Sequence, residues 1–207
     1  TASYGKNTGE KNNDLVYAGS MELKYAEHFS ADYYEGGYTL LKISDGTKIL
    51  VVPEAKEVPE GLEGDIIVLE QPVKNIYLVS TGVVDMFYAI DALDTIGFSG
   101  QKEDGWYVES AREAMRKGDI IYAGSYNTPD YELLVSGNCS LSIQGPMILY
   151  APEAREMLEG FGIPVIIDYS YYESHPLGKV EWVKFIGVLA GKEEEANEAF
   201  SKQVAVL

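Results

Sequence analysis

Ser80-Thr81-Gly82 is the first stretch of this chain whose residue types and placing could do chemistry, because it follows the apolar run 75–79 and opens a helical pattern. In an open α/β sheet such a strand-to-helix turn presents backbone N–H groups to anions and ligands. The same Ser or Thr also serves as a plain helix cap, accepting a bond from the first turn. Glu173 and His175 have the types of an acid–base pair, but no nucleophile accompanies them, and ordinary loop polarity is the simpler reading. Tyr169, Tyr171 and Tyr172 stand together after the last apolar run; tyrosines at strand ends often line ligand sites, since they bring area and a hydroxyl with few rotors. Cys139 is the only cysteine and there are 2 histidines far apart, which gives neither an internal disulfide nor a metal-ligand spacing. The chain has no Gly-rich phosphate loop, no Gly-x-Ser-x-Gly elbow and no His-Glu-x-x-His, so these catalytic and cofactor-binding signatures are missing.

These residues need elements to position them, and the patterning supplies a set. The runs 37–43 and 47–52 flank Ser44-Asp45-Gly46, a strong hairpin signal, and Met21–Tyr25 before them is apolar and strand-like. Short apolar runs at 65–69, 75–79, 96–98, 120–122, 140–143 and 165–167 suit buried strands. Between them lie helical stretches at 82–93, 106–117, 130–135 and 152–159, with Pro129 and Pro152 at helix starts and Gly118 and Gly160 at helix ends. Strands alternating with short helices predict an α/β fold: a doubly wound, Rossmann-like, mostly parallel sheet of four or five strands. Residues 178–207 carry Trp182, Phe185, Ile186, Leu189, Ala196 and Phe200 at helical spacing, and predict one long helix that either docks on its own domain or connects to another.

Composition narrows the partners. With 33 Asp and Glu against 16 Lys and Arg the net charge is −17, and no basic cluster exists to neutralise phosphates, so nucleic acid and anionic membranes are poor partners. Acidity of this kind also simply keeps a secreted protein in solution. No apolar run reaches the roughly 18 residues of a membrane span. The opening residues Thr1–Asp14 are polar and read as a tether left after removal of any signal segment.

The order of the pieces resembles the N-terminal lobe of substrate-binding proteins for ABC importers of iron-siderophore, haem and cobalamin, the class III periplasmic-binding-protein family. Lys74-Asn-Ile-Tyr-Leu-Val-Ser-Thr-Gly82 and the helix ending at Ala92-Leu93 look like the family's opening strand, polar turn and first helix. Pro129-Asp-Tyr-Glu132-Leu-Leu with Cys139-Ser-Leu-Ser-Ile143, and Pro176 to Gly187, look like two further segments, the last being the start of the helix between lobes. Where members often carry Pro or an aromatic, this chain has Gly82 and Gly145.

The resemblance implies a tether over 1–20, an N-terminal hairpin region over 21–70, a ligand-binding α/β lobe over 71–177 and an inter-lobe linking helix over 178–207, the second lobe lying outside this chain. It implies ligand contacts from Ser80, Thr81, Gly82, Ser99, Gly100, Tyr126, Gln144, Gly145 and Tyr169, and permease docking through Glu132. The implied protein is a monomeric, extracytoplasmic binder, periplasmic or a cell-surface lipoprotein, that hands a metal chelate or corrinoid to an ABC permease. An α/β enzyme acting on a small phosphorylated substrate through Ser80–Gly82, and a cell-surface protein-binding module, are the alternatives.

Overall fold

The computed structural model describes residues 15–206. Residues 1–14, most of the expected tether, lie outside the described residues, and the tether's last four form a strand instead. That strand, β1 (Tyr17–Ser20), is followed by β2 (Phe29–Tyr34), β3 (Tyr38–Ile43), β4 (Lys48–Val52) and β5 (Ile67–Glu70), which make a five-stranded sheet in sequence order, antiparallel except for the parallel β4–β5 pair. The hairpin forms where the sequence places it: Asp45 accepts a bond from the Thr47 amide at 2.9 Å, and Gly46 takes the left-handed φ of 94° that closes the turn. On β3, Thr39, Leu41 and Ile43 are buried and alternate with half-buried Tyr38, Leu40 and Lys42, so one face meets the core.

The second sheet is parallel throughout. Its strands are β6 (Ile76–Leu78), β7 (Ile96–Ser99), β8 (Ile121–Tyr122), β9 (Ser142–Gln144) and β10 (Val165–Ile167), in the order β10-β9-β6-β7-β8. Its helices are α1 (Val84–Ala89), α2 (Glu109–Lys117), α3 (Tyr131–Ser136) and α4 (Pro152–Gly160). Burial on both faces explains why β6 and β10 read as unbroken apolar runs rather than as alternations, whereas β8, at the sheet's edge, is exposed. Ile76, Leu78, Ile143 and Ile166 join one core with the first sheet and α1, while Tyr77, Val79, Val165 and Ile167 join a second core with Leu134 of α3 and Leu158 of α4. The helix expected over 106–117 starts only at Glu109. Trp106 is buried in the preceding loop, where its indole N–H donates to Ser99 at 2.9 Å.

The chain from 176 on departs most from expectation. Instead of one long helix there are three, α5 (Pro176–Glu181), α6 (Val183–Ala190) and α7 (Glu193–Val206), and the chain reverses at Gly191, whose φ is 66°. α6 is apolar apart from Lys184 and buried along all but its last residue. α7 returns along it, with Ala196 and Phe200 buried. Gly187 permits the approach, because a Cβ there would lie 2.5 Å from that of Ala196.

Residues 21–25, expected as a strand, form none: Met21 N donates to the Ala31 carbonyl at 2.9 Å, but the amides of Lys24 and Tyr25 are taken by a side chain. The fully buried Glu181 carboxylate accepts from the N–H groups of Lys24 at 2.9 Å, Tyr25 at 2.7 Å and Ala26 at 2.8 Å, and from the Lys184 ammonium at 2.9 Å. Glu173 continues the clasp, accepting from Glu27 N at 2.8 Å, His28 N at 2.9 Å and the Trp182 indole at 2.8 Å. Burial works against ionisation of Glu181, but the bonds from Lys184 and the three amides outweigh it and hold the pKa below its ordinary 4.5. A folded-state pKa depressed below the unfolded one gives stability that is complete above pH 4.5 and lost as pH falls through the folded value. Glu181→Gln is expected to cost about 3 kcal/mol at pH 7, the usual penalty for breaking a buried ion pair. Urea titrations below and above pH 4.5 should then show the wild type losing more stability on acidification than the variant.

Candidate functional site

The strand order reverses between β6 and β9, so the loops leaving their carboxyl ends diverge and open a crevice, the usual ligand position in open parallel sheets. Ser80 follows β6, and its hydroxyl donates to Asp168 Oδ2 at 2.7 Å, joining the ends of β6 and β10 across the intervening β9. The other Asp168 oxygen accepts from Ser170 N at 2.8 Å, and the Asp168 amide donates to the Gln144 carbonyl at 2.8 Å. Ser80 also caps the turn, accepting from Gly82 N at 3.4 Å, as the plainer sequence reading has it. Asp168 is buried and escaped sequence reasoning; its signal is an acid placed directly after the last apolar strand.

The other nominated residues divide into two groups. Ser99 is fully buried and saturated: it donates to the Gln101 carbonyl at 2.5 Å and accepts from Gln101 N at 3.0 Å and Trp106 Nε1 at 2.9 Å. Gly100 is buried and lets β7 approach β6, since a Cβ would meet both Val79 γ-carbons at 2.7 and 2.8 Å and its Cα at 2.9 Å. Gln144 is buried, with Nε2 bonded to Ser142 Oγ at 2.8 Å and Oε1 without a partner. Tyr126 is half-buried against the second core, in a loop anchored by the buried Tyr77, whose hydroxyl donates to the Gly124 carbonyl at 2.6 Å. Burial pushes the Tyr77 pKa well up, so the phenol stays a donor. Burial also raises that of Tyr169, aided by the Asp45 carboxylate. Thr81 is exposed, and Gly145 faces open space, a Cβ there meeting no atom within 4 Å.

Glu173 and His175 are not an acid–base pair. Glu173 is committed to the clasp, and His175 caps α5, its Nδ1 accepting from Leu177 N at 3.0 Å while its ring stacks on Tyr25 at 4.6 Å. Burial pushes the Cys139 thiol up to about 11, which removes its nucleophilic thiolate. Glu132 is exposed on α3 and in no ion pair among the described residues, while Asp130 caps the helix, accepting from Leu133 N at 3.0 Å.

The carboxyl edge of the sheet exposes a set of aromatic and apolar side chains beside polar ones such as Thr81, Lys102, Asp104, Asn127 and Thr128. Tyr107 (97% exposed) lies in the loop after β7, Met147, Leu149 and Tyr150 (81%) in the segment after β9, and Tyr171 (62%) and Tyr172 after β10. Exposed Tyr, Met and Leu on loops that leave one edge offer contact area to a ligand. The Tyr171 ring lies directly on Gly82, where a Cβ would come within 2.3 Å of it, and the Lys179 ammonium sits 3.5 Å from the ring centroid on a cation–π contact. Beside this stack a groove of about 780 Å³ runs between α1 and α7, reached by Thr81, Gly82 and Tyr171 and by no other nominated residue.

No protein-family model matches the chain. Two uncharacterized lipoproteins of Methanocaldococcus jannaschii are similar in sequence, one 24% identical over 87% of this chain and 49% of its own length, the other 27% identical over 89% and 48%. The chain therefore spans about half the length of the curated relatives it matches. Among solved structures, an ABC-type Fe3+-hydroxamate transport protein of Saccharomonospora viridis is 19% identical over 63% of this chain and 47% of its own, with a TM-score of 0.48. A periplasmic haem-binding protein of Vibrio cholerae is 19% identical over 65% and 49%, with a TM-score of 0.49.

The two edge glycines separate packing from access. Gly100→Ala forces a Cβ into Val79 and its backbone and is expected to cost about 2 kcal/mol. Gly145→Ala, at an ordinary φ of −84° in open space, should stay within about 0.5 kcal/mol of wild type. Thermal or urea unfolding of the two variants side by side checks both values.

Proposed function

We propose that this chain is one lobe of an extracytoplasmic solute-binding protein that captures an iron complex or related chelate, such as a siderophore, haem or cobalamin, for an ABC importer. The observation that carries the reading is the set of exposed Tyr, Met and Leu side chains on the carboxyl edge of a parallel sheet, at its switch point. A large, partly flat chelate matches such an edge, since aromatic side chains give contact area without demanding a fixed hydrogen-bond pattern. The resemblance of the segments 74–82, 129–143 and 176–187 to that family supports the class of solute. The name lipoprotein borne by both curated relatives supports a place outside the cytoplasm, at a cell surface or in a periplasm. Binding without turnover fits the site, because Ser80, the hydroxyl that an enzyme of phosphorylated substrates would use, is already bonded to Asp168.

One edge forms one wall of a cleft, whereas small-molecule sites usually bury about 70–90% of their ligand. A second lobe, reached through α7, would supply the opposite wall. Glu132, exposed and unpaired as described above, is the proposed contact for basic residues of the permease.

Isothermal titration of the full-length protein with haemin, ferrichrome and cyanocobalamin tests the reading. One of them should bind, and Tyr150→Ser with Tyr171→Ala should weaken it at least about tenfold at an unchanged melting temperature, as loss of two aromatic contacts implies. Unaltered affinity in the double variant would remove the edge from the site. Glu132→Ala should leave affinity intact while lowering uptake in a reconstituted importer; normal uptake would remove the docking role.

A further inference from the structure

His28 stands where the first sheet meets the last wall of the site. Its ring Nε2 lies 3.1 Å from the Tyr172 carbonyl and its Nδ1 2.9 Å from Ser44 Oγ. A carbonyl can only accept, so Nε2 carries the proton and Nδ1 of the neutral ring accepts from the Ser44 hydroxyl. The ring stacks on Tyr169 at 6.2 Å and 26° and meets Tyr172 edge-on at 6.5 Å, while its own amide donates to Glu173. His28, the last residue of the segment leading into β2, thus contacts the segment 169–173 at three of its five positions.

That segment is a single 3-10 turn. Tyr172 N donates to the Tyr169 carbonyl at 2.9 Å, Glu173 N to the Ser170 carbonyl at 3.3 Å, and Ser170 N to Asp168. Its start is fixed by Asp168; at its end the Glu173 side chain is held by Glu27 N, His28 N and the Trp182 indole, and the Tyr172 carbonyl is held by the His28 ring. Between these anchors stands Tyr171, whose ring covers Gly82 and supports Lys179. Tyr171 is 62% exposed, and its ring contacts are confined to Gly82 beneath it and Lys179 over it. Its position follows from the turn, and the turn's free end is held from the other sheet.

We infer that His28 is the positioning residue for the aromatic wall: the first sheet sets, through this ring, where Tyr171 stands, and thereby the affinity of the edge. The affinity part rests on the solute-binding reading; the positioning part does not.

Hydrogen–deuterium exchange on the full-length protein separates them. In His28→Ala the Tyr172 and Glu173 amides should exchange at least about tenfold faster, as loss of one anchoring hydrogen bond implies, with β3 and β4 as protected as in wild type. His28→Gln places an amide donor near the position of Nε2 and should restore most of the protection. Titration with haemin and ferrichrome should show affinity falling about tenfold in His28→Ala and recovering in His28→Gln. Should His28→Ala fail to fold, Ser44→Ala, which frees Nδ1, should give a smaller acceleration at the same two amides. Unchanged exchange at Tyr172 and Glu173, or equal acceleration across β3 and β4, overturns the positioning role whatever binds. If neither of these probes nor cyanocobalamin binds the wild type, the solute reading fails, and exchange still decides the role of His28.

Discussion

The Glu181 carboxylate, withdrawn from water among three backbone amides and one ammonium, is the interaction on which the arrangement of the two sheets depends. An ionised carboxylate in that position is tolerable only with all of these donors in place, since an uncompensated buried charge costs several kcal/mol. The donors come from residues 24–26 and the acceptor from the end of α5, 157 positions away at the widest pairing. Glu173 repeats the device one step along the strap. Together they fix residues 24–28 as a strap between the sheets and dock Phe29 against Trp182 at 4.9 Å and Phe185 at 5.6 Å. Directional bonds set the register here, and the aromatic packing supplies most of the favourable free energy.

The same geometry explains how a surface made of flexible loops can present a defined shape. Several loops at the carboxyl edge have a buried anchor beneath them: Ser99 under the Gln101–Trp106 loop, Tyr77 under Gly124, and the Ser80–Asp168 pair under the turn that carries Tyr171. The polar groups of these anchors are bonded below while aromatic rings stand exposed above. A site of this kind holds its partner by area and shape, with specificity set by where the rings stand.

Much of this was legible in the sequence because its cause is local. The Asp45-Gly46 turn, the unbroken apolar runs of β6 and β10, and the proline and glycine at the ends of α4 act within a few residues of themselves. What escaped is caused at a distance. Phe29–Tyr34 forms a full strand between two partners, although its mixed Ser, Ala and Asp content dilutes the pattern. Met21–Tyr25 looks like a strand until Glu181 is known to hold the Lys24 and Tyr25 amides, and the break after α6 has a local signal in Gly191 whereas the return of α7 depends on the contact of Gly187 with Ala196. At the site, the strand-end loops were readable but the facing of their side chains was not. Ser99 and Gln144 turn inward and saturate or pack, while Met147, Leu149 and Tyr150, which in sequence look like core, turn outward.

The central claim is that the carboxyl edge of the parallel sheet is the surface that receives a solute. Amide exchange across the full-length protein, with and without whichever of haemin, ferrichrome or cyanocobalamin it retains on gel filtration, tests this most directly. The account predicts protection concentrated at 147–150 and 171–172, with the outer faces of α3 and α4 unaffected. Protection confined to those outer faces, or to the first sheet, with the edge loops unchanged, would contradict it.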